Sequence, residues 1–191
     1  MRLADFALER FFARWEFTAE MLLCASDVEG WSMRDLLALA DDEARDRWDR
    51  LALGYTESPG DPALRAALAG LYEHISPDQV LVFSGAQEAI LALHNVLLGP
   101  GDHAIVVRPA YQSLAEVGVA SGADVTRVDL HEADAWRLDV DEVRAALRPN
   151  TRLIQINEPH NPTGALMDRA HDWLGATAAC WNERKHSWSF P

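Results

Sequence analysis

Lysine is nearly absent from this chain of 191 residues: sixteen of its 17 basic side chains are arginine, and the exception is Lys185, close to the end. Any chemistry that needs a lysine amine has a single candidate here. Cysteine is scarce as well. Cys24 and Cys180 stand far apart, in neither a CxxC pair nor a Cys/His ligand spacing, which excludes a zinc site and a disulfide framework and fits a reducing compartment. No window is apolar for the length of a membrane span, and the amino terminus mixes Asp5, Glu9 and Arg14 with aromatics instead of setting a basic tip before an apolar run. Neither a span nor a secretion signal is expected, and the expected location is cytoplasmic. A basic patch is missing too: with a net charge of −13 and no dense cationic cluster, a nucleic-acid partner is excluded. Internal repeats and low-complexity stretches are absent.

What remains is a globular composition, 49% hydrophobic and 25% charged, in a chain long enough for one substantial core. Residues 3–23 carry Phe6, Phe11, Phe12, Trp15, Met21 and Leu22 at helical spacing with charges between them, which predicts an amphipathic helix. Ser32 is placed to cap the next helix, a charged helix follows over 41–51, and Asp61 is placed to cap a helix that starts at Pro62 and runs to about residue 75. From Gln79 onward apolar runs alternate with helical stretches. Strands are predicted over 80–83, 104–107, 125–128 and 153–156, with helices over 86–98, 111–121 and 140–147. That alternation predicts an α/β fold with a mainly parallel sheet flanked by helices.

Three strand ends carry candidate ligand contacts. The sequence Ser84-Gly85-Ala86-Gln87 lies where a strand gives way to a helix, a junction whose free backbone N–H groups and helix dipole suit an anion, and Gly85 admits a close approach. Tyr111 follows Arg108-Pro109-Ala110 directly after a strand, at the sheet edge where ligands of open α/β folds collect, and an aromatic there can stack on a flat ring. After the last apolar run comes Asn157-Glu158-Pro159-His160-Asn161-Pro162-Thr163-Gly164. Two prolines fix φ, the glycine permits a backbone conformation other residues resist, and Asn157 and Asn161 are left as ligand contacts, or as self-capping turn residues. His160 stands beside this loop but falls in no ligand or triad spacing, and no acid/base role is assigned to it.

The eight residues from Asn157 to Gly164, preceded by an apolar strand, resemble the Asn-Pro-Thr-Gly loop of class I/II aminotransferases, the fold-type I enzymes that depend on pyridoxal 5′-phosphate. The resemblance extends over residues 1–168. It implies that Asn161, beside Asn157, donates a hydrogen bond to the phenolic oxygen of the cofactor ring. Ser84, Gly85, Ala86 and Gln87 would hold the cofactor phosphate, and Tyr111 would lie against the pyridine ring. Tyr55, followed by Gly60, Leu64 and Arg65 as in the family, would reach across a homodimer interface to the phosphate of the neighbouring subunit. The substrates implied are an amino acid and a 2-oxo acid, with a lyase, cyclase or synthase of the same fold, or a non-catalytic remnant, as alternatives. The implied division is a helical arm and small-domain segment over 1–56, the first half of the cofactor-binding domain over 57–168, and an atypical tail over 169–191.

The resemblance also says what to miss. The family supplies a carboxylate that keeps the pyridine nitrogen protonated and a lysine amine that joins the cofactor, both well beyond this loop. Only 27 residues follow Gly164, and Lys185, in the setting Glu-Arg-Lys-His-Ser, comes too early. No catalytic residue is therefore assigned, and a fold incomplete at its carboxyl end is expected. The change of character after residue 168, with three of the seven Trp in the last 19 residues, suggests a shifted reading frame. The family's strand order separates 80–83 from the other strands, so unpaired edges are expected.

Overall fold

The computed structural model describes residues 2–24, 29–166, 180–182 and 187–189. It divides into two units, one formed by residues 1–26 with 85–191 and the other by 27–84.

The larger unit is built on a parallel sheet of three strands in the order β2-β1-β3: β1 is His103–Arg108, β2 Asp124–Asp129 and β3 Thr151–Gln155. The run Ala104-Ile105-Val106-Val107 is apolar at every position because β1 is central and covered on both faces, and all four residues are buried. Helices α5 (Ala86–Leu97) and α6 (Ser113–Ala120) cover one face, where Val106 meets Leu114 and Ala115, and Ala104 meets Leu98 and Leu153. Helix α7 (Val140–Ala146) covers the other, where Ile105, Val107, Val128 and Ile154 pack with Val140 and Val143. The expected α/β architecture is thus present, with element ends within two residues of those read from the pattern; helix α6 alone starts two residues late, leaving Tyr111 and Gln112 in the turn before it.

The expected strand over 80–83 does not form. Those residues carry no regular structure, and Val82 N–H donates to the Pro59 carbonyl at 2.9 Å instead of to a ladder. A strand needs a neighbour, and among the described residues none lies alongside. The expected helix over 3–23 is shorter, α1 at Ala7–Trp15. In the tail, where no periodicity was legible, β4 (Cys180–Asn182) and β5 (Ser187–Ser189) form an antiparallel pair, three residues each and too short for a period of two to stand out.

The smaller unit holds α2 (Met33–Ala38), α3 (Asp42–Asp49) and α4 (Pro62–Ala69). Both expected caps are present: the side chains of Ser32 and Asp61 accept from the backbone N–H of Asp35 and Leu64 at 3.1 and 2.9 Å, and Asp41, read as the first residue of its helix, instead caps it by accepting from Ala44 N–H at 2.8 Å. Helix α4 ends at residue 69, six residues short of expectation, with Gly70 as its cap residue. Arg65, only 13% exposed at its side chain, ties the end of α4 to the segment that follows, donating to the carbonyls of Val80 at 3.0 Å and Pro77 at 2.6 Å.

Candidate cofactor site

Strands β1 and β3 are parallel neighbours, with Val106 opposite Gln155, so the chain leaves both at the same end of the sheet. Tyr111 lies five residues beyond Val106 and Asn157 two beyond Gln155, which brings two of the expected contacts to adjacent strand ends. Tyr111 packs with Ile90 of α5 over the cluster of Val106, Leu114 and Ala115. The amino end of α5 therefore belongs to the same side of the sheet as Tyr111.

That helix end is open. Gly85, its N-cap, makes no side-chain cap bond, whereas α2, α3, α4 and α7 are capped by Ser32, Asp41, Asp61 and Asp139. Residues 84–88 are exposed, and a Cβ added at Gly85 would meet nothing within 4 Å. The exposed amides of Ala86 and Gln87, at the positive end of a helix dipole, suit an anion. Ser84 precedes them in sequence but falls in the smaller unit, as does Tyr55, which is fully exposed.

The loop over 157–164 is closed on itself. Gly164, at φ +71°, turns the chain so that its N–H donates to the His160 carbonyl at 2.7 Å, while His160 N–H donates to the Ala165 carbonyl at 2.9 Å. The His160 ring is buried inside this turn, with Nδ1 2.7 Å from the Thr163 hydroxyl. It shapes the loop. Asn161 is exposed at the tip, and Asn157 is half-buried at the edge of a recess walled by Val107, Leu130, Trp136, Leu138 and Ile156. At the other strand end, Arg108 holds Asp129 through two bonds, of 2.6 and 2.7 Å, fixing the start of the turn that carries Tyr111. The guanidinium keeps the Asp129 carboxyl below its ordinary value. Exposed amides, an aromatic and two asparagine side chains are of the chemical kinds that suit the phosphate, ring and ring oxygen of pyridoxal 5′-phosphate; Tyr111 packs on the α5–α6 face of the sheet, and Asn157 lines the recess on the α7 face.

The sequence pattern of the family "Aminotransferase class I and II" matches residues 19–174. This chain belongs to that family. Pyridoxal 5′-phosphate is the family's cofactor. The chain is 36% identical over 131 residues to arginine–pyruvate transaminase of Pseudomonas aeruginosa, covering 66% of this chain and 33% of that one. It is 34% identical over 167 residues to capreomycidine synthase of Streptomyces vinaceus, covering 87% and 42%. A solved pyridoxal-phosphate-dependent aminotransferase from Streptococcus suis superposes with a TM-score of 0.81 at 32% identity, over 90% of this chain and 46% of its own. The chain thus spans between a third and a half of the length of these relatives.

One set of contacts had no signal in the sequence. The Tyr111 hydroxyl donates to the Glu9 carboxylate, the Phe6 ring stands 6.3 Å from the Tyr111 ring, and Gln112 bonds the backbone of Asp5 and Ala7. These partners lie more than a hundred residues apart in sequence, beyond the reach of any local pattern.

Proposed function

We propose that this chain provides the amino-terminal part of the pyridoxal-phosphate cradle of an aminotransferase that moves an amino group between an amino acid and a 2-oxo acid. The observation that supports it is that the chain leaves the adjacent parallel strands β1 and β3 at the same end of the sheet, toward Tyr111 and Asn157, and that the amino end of α5 at Gly85 is exposed. In this reading the backbone N–H groups of Gly85, Ala86 and Gln87, with the Ser84 hydroxyl, bind the phosphate, since they offer several donors to one anion at the positive end of α5. Tyr111 covers one face of the ring and excludes water from it. Asn161, steered by the turn that ends at Gly164, donates to the ring oxygen, and Asn157 supports it. When bound, the cofactor supplies an electron sink for the carbon that bears the amino group. Tyr55 completes a neighbouring phosphate site across a homodimer. No residue is assigned to proton transfer.

A synthase of the same fold is the second reading, favoured by the likeness to capreomycidine synthase over 87% of this chain. A cytoplasmic location goes with both.

Equilibrium dialysis of the purified chain against pyridoxal 5′-phosphate tests the cradle, with pyridoxal as the control that lacks the phosphate. Saturable binding of the phosphate ester, at least ten-fold tighter than pyridoxal, is the expected result. Equal retention of the two compounds would overturn the assignment of the α5 amides.

A further inference from the structure

Helix α1 fully buries none of its residues. Its N-cap residue Phe6 makes no side-chain cap bond, and the helix begins with an N–H at Ala7 that has no partner within the helix. That partner comes from 105 residues away: Gln112 Oε1 accepts from Ala7 N–H at 3.0 Å, while Gln112 Nε2 donates to the Asp5 carbonyl at 2.8 Å. One carboxamide thereby caps the helix and pins the strand-like segment before it. Next to it the Tyr111 hydroxyl donates to Glu9, and the Phe6 ring leans on the Tyr111 ring at 57°. Arg10 closes back onto Asp5 at 3.2 Å.

We propose that the Glu9–Tyr111 hydrogen bond is a latch that holds the amino-terminal arm on the strand end and makes Glu9 a positioning residue for the Tyr111 ring. The proposal rests on the reading of Tyr111 as a ring contact. A tyrosine ring can swing about χ1 and turn about its own axis; bonding its hydroxyl to a carboxylate on a helix fixes where it points, and a second ring leaning against it selects its plane, before any ligand arrives. Fixing a side chain in advance lowers the ordering cost of binding. Because the arm and the ring are in contact, whatever fixes the ring also helps to hold the arm, and the two effects are equal in size by thermodynamic linkage.

Two readouts test the latch on the full chain. The first is the rate of trypsin cleavage after Arg10 and Arg14, without cofactor. Glu9→Ala and Tyr111→Phe are each expected to raise it by a similar factor, with the double variant no faster than either single one and Glu9→Gln, which keeps an acceptor, close to the parent. The second is pyridoxal-phosphate affinity. Glu9→Ala is expected to weaken it by roughly two- to ten-fold, as the loss of one pre-ordered side chain implies, with Glu9→Gln within two-fold of the parent and the cofactor slowing cleavage of the parent arm. Multiplicative cleavage rates in the double variant, or unchanged rates in Tyr111→Phe, would overturn the latch. If Tyr111→Ala weakens cofactor binding and Glu9→Ala leaves it unchanged, the positioning role is overturned and the ring contact stands. If Tyr111→Ala binds the cofactor as the parent does, the ring contact fails, and the latch is upheld or overturned as an anchor for the arm by the cleavage rates alone.

Discussion

His103 and Thr151 join β1 to β3 through their side chains, with ring Nδ1 2.7 Å from the threonine hydroxyl, while Nε2 lies 2.8 Å from the Thr126 hydroxyl on β2. A fully buried imidazole thus ties all three strands together at the end of the sheet opposite the candidate site. Thr151 Oγ1 also accepts from the Arg148 backbone N–H at 2.8 Å, and the Arg148 guanidinium reaches Thr126 and Asp124. Burial pushes the His103 pKa down, the nearby Arg148 charge pushes it further, and Asp124 opposes them.

A lowered histidine pKa means that the unfolded chain takes up the proton first. The stability contributed by neutral His103 is therefore complete above the ordinary value near 6.5 and is lost as pH falls below it. Urea midpoints are expected to drop between pH 7.5 and pH 5.5, and His103→Gln is expected to flatten that slope while lowering the midpoint at pH 7.5. An unchanged slope in the variant would show that other groups set the pH dependence.

Gly60 in the smaller unit sits at φ +110°, and a Cβ there would come within 2.6 Å of Val82 Cβ. Both the backbone and the space reject a side chain. Gly60→Ala is expected to destabilise by about 1–3 kcal/mol, read as a lower denaturation midpoint, with the segment that carries Val82 becoming more open to hydrogen exchange.

Leu153 is 1% exposed and packs with Leu98, Ala104 and Ala123. Leu153→Ala removes buried surface and leaves a cavity in a three-stranded sheet with little room to collapse, for an expected loss of about 2–5 kcal/mol by chemical denaturation.

The Arg108–Asp129 pair is bidentate yet close to half-exposed on both sides. Solvent screening limits its worth, so Asp129→Asn is expected to cost under about 1 kcal/mol at neutral pH. Its carboxyl is held low by Arg108, so its contribution is present above the ordinary carboxylate value and fades as pH falls through it. A larger loss measured at neutral pH would mean that the pair also braces the turn to Tyr111.

Asn161 is exposed at the loop tip. Asn161→Ala is expected to weaken pyridoxal-phosphate binding by about ten-fold, the equivalent of one hydrogen bond to a charged oxygen at roughly 1.5 kcal/mol. Unaltered affinity would remove Asn161 from the proposed site.

The alternation of apolar runs and helical stretches from Gln79 onward determined the sheet and its parallel sense, because periods of two and 3.6 are properties of local backbone geometry. The caps at Ser32 and Asp61 were legible for the same reason: a cap acts three residues away. The Asn157–Gly164 loop was legible because proline and glycine restrict their own backbone. Residues 80–83 read as a strand for a sound local reason and are not one, since a ladder depends on a neighbour that no local pattern encodes. The docking of Glu9 and Phe6 on Tyr111, the use of Gln112 as a cap for a helix over a hundred residues away, and the three-strand bridge through His103 were decided only by tertiary structure. In each, the partners are brought together by chain closure, and the energy of a contact that distant in sequence leaves no trace in the spacing of either partner.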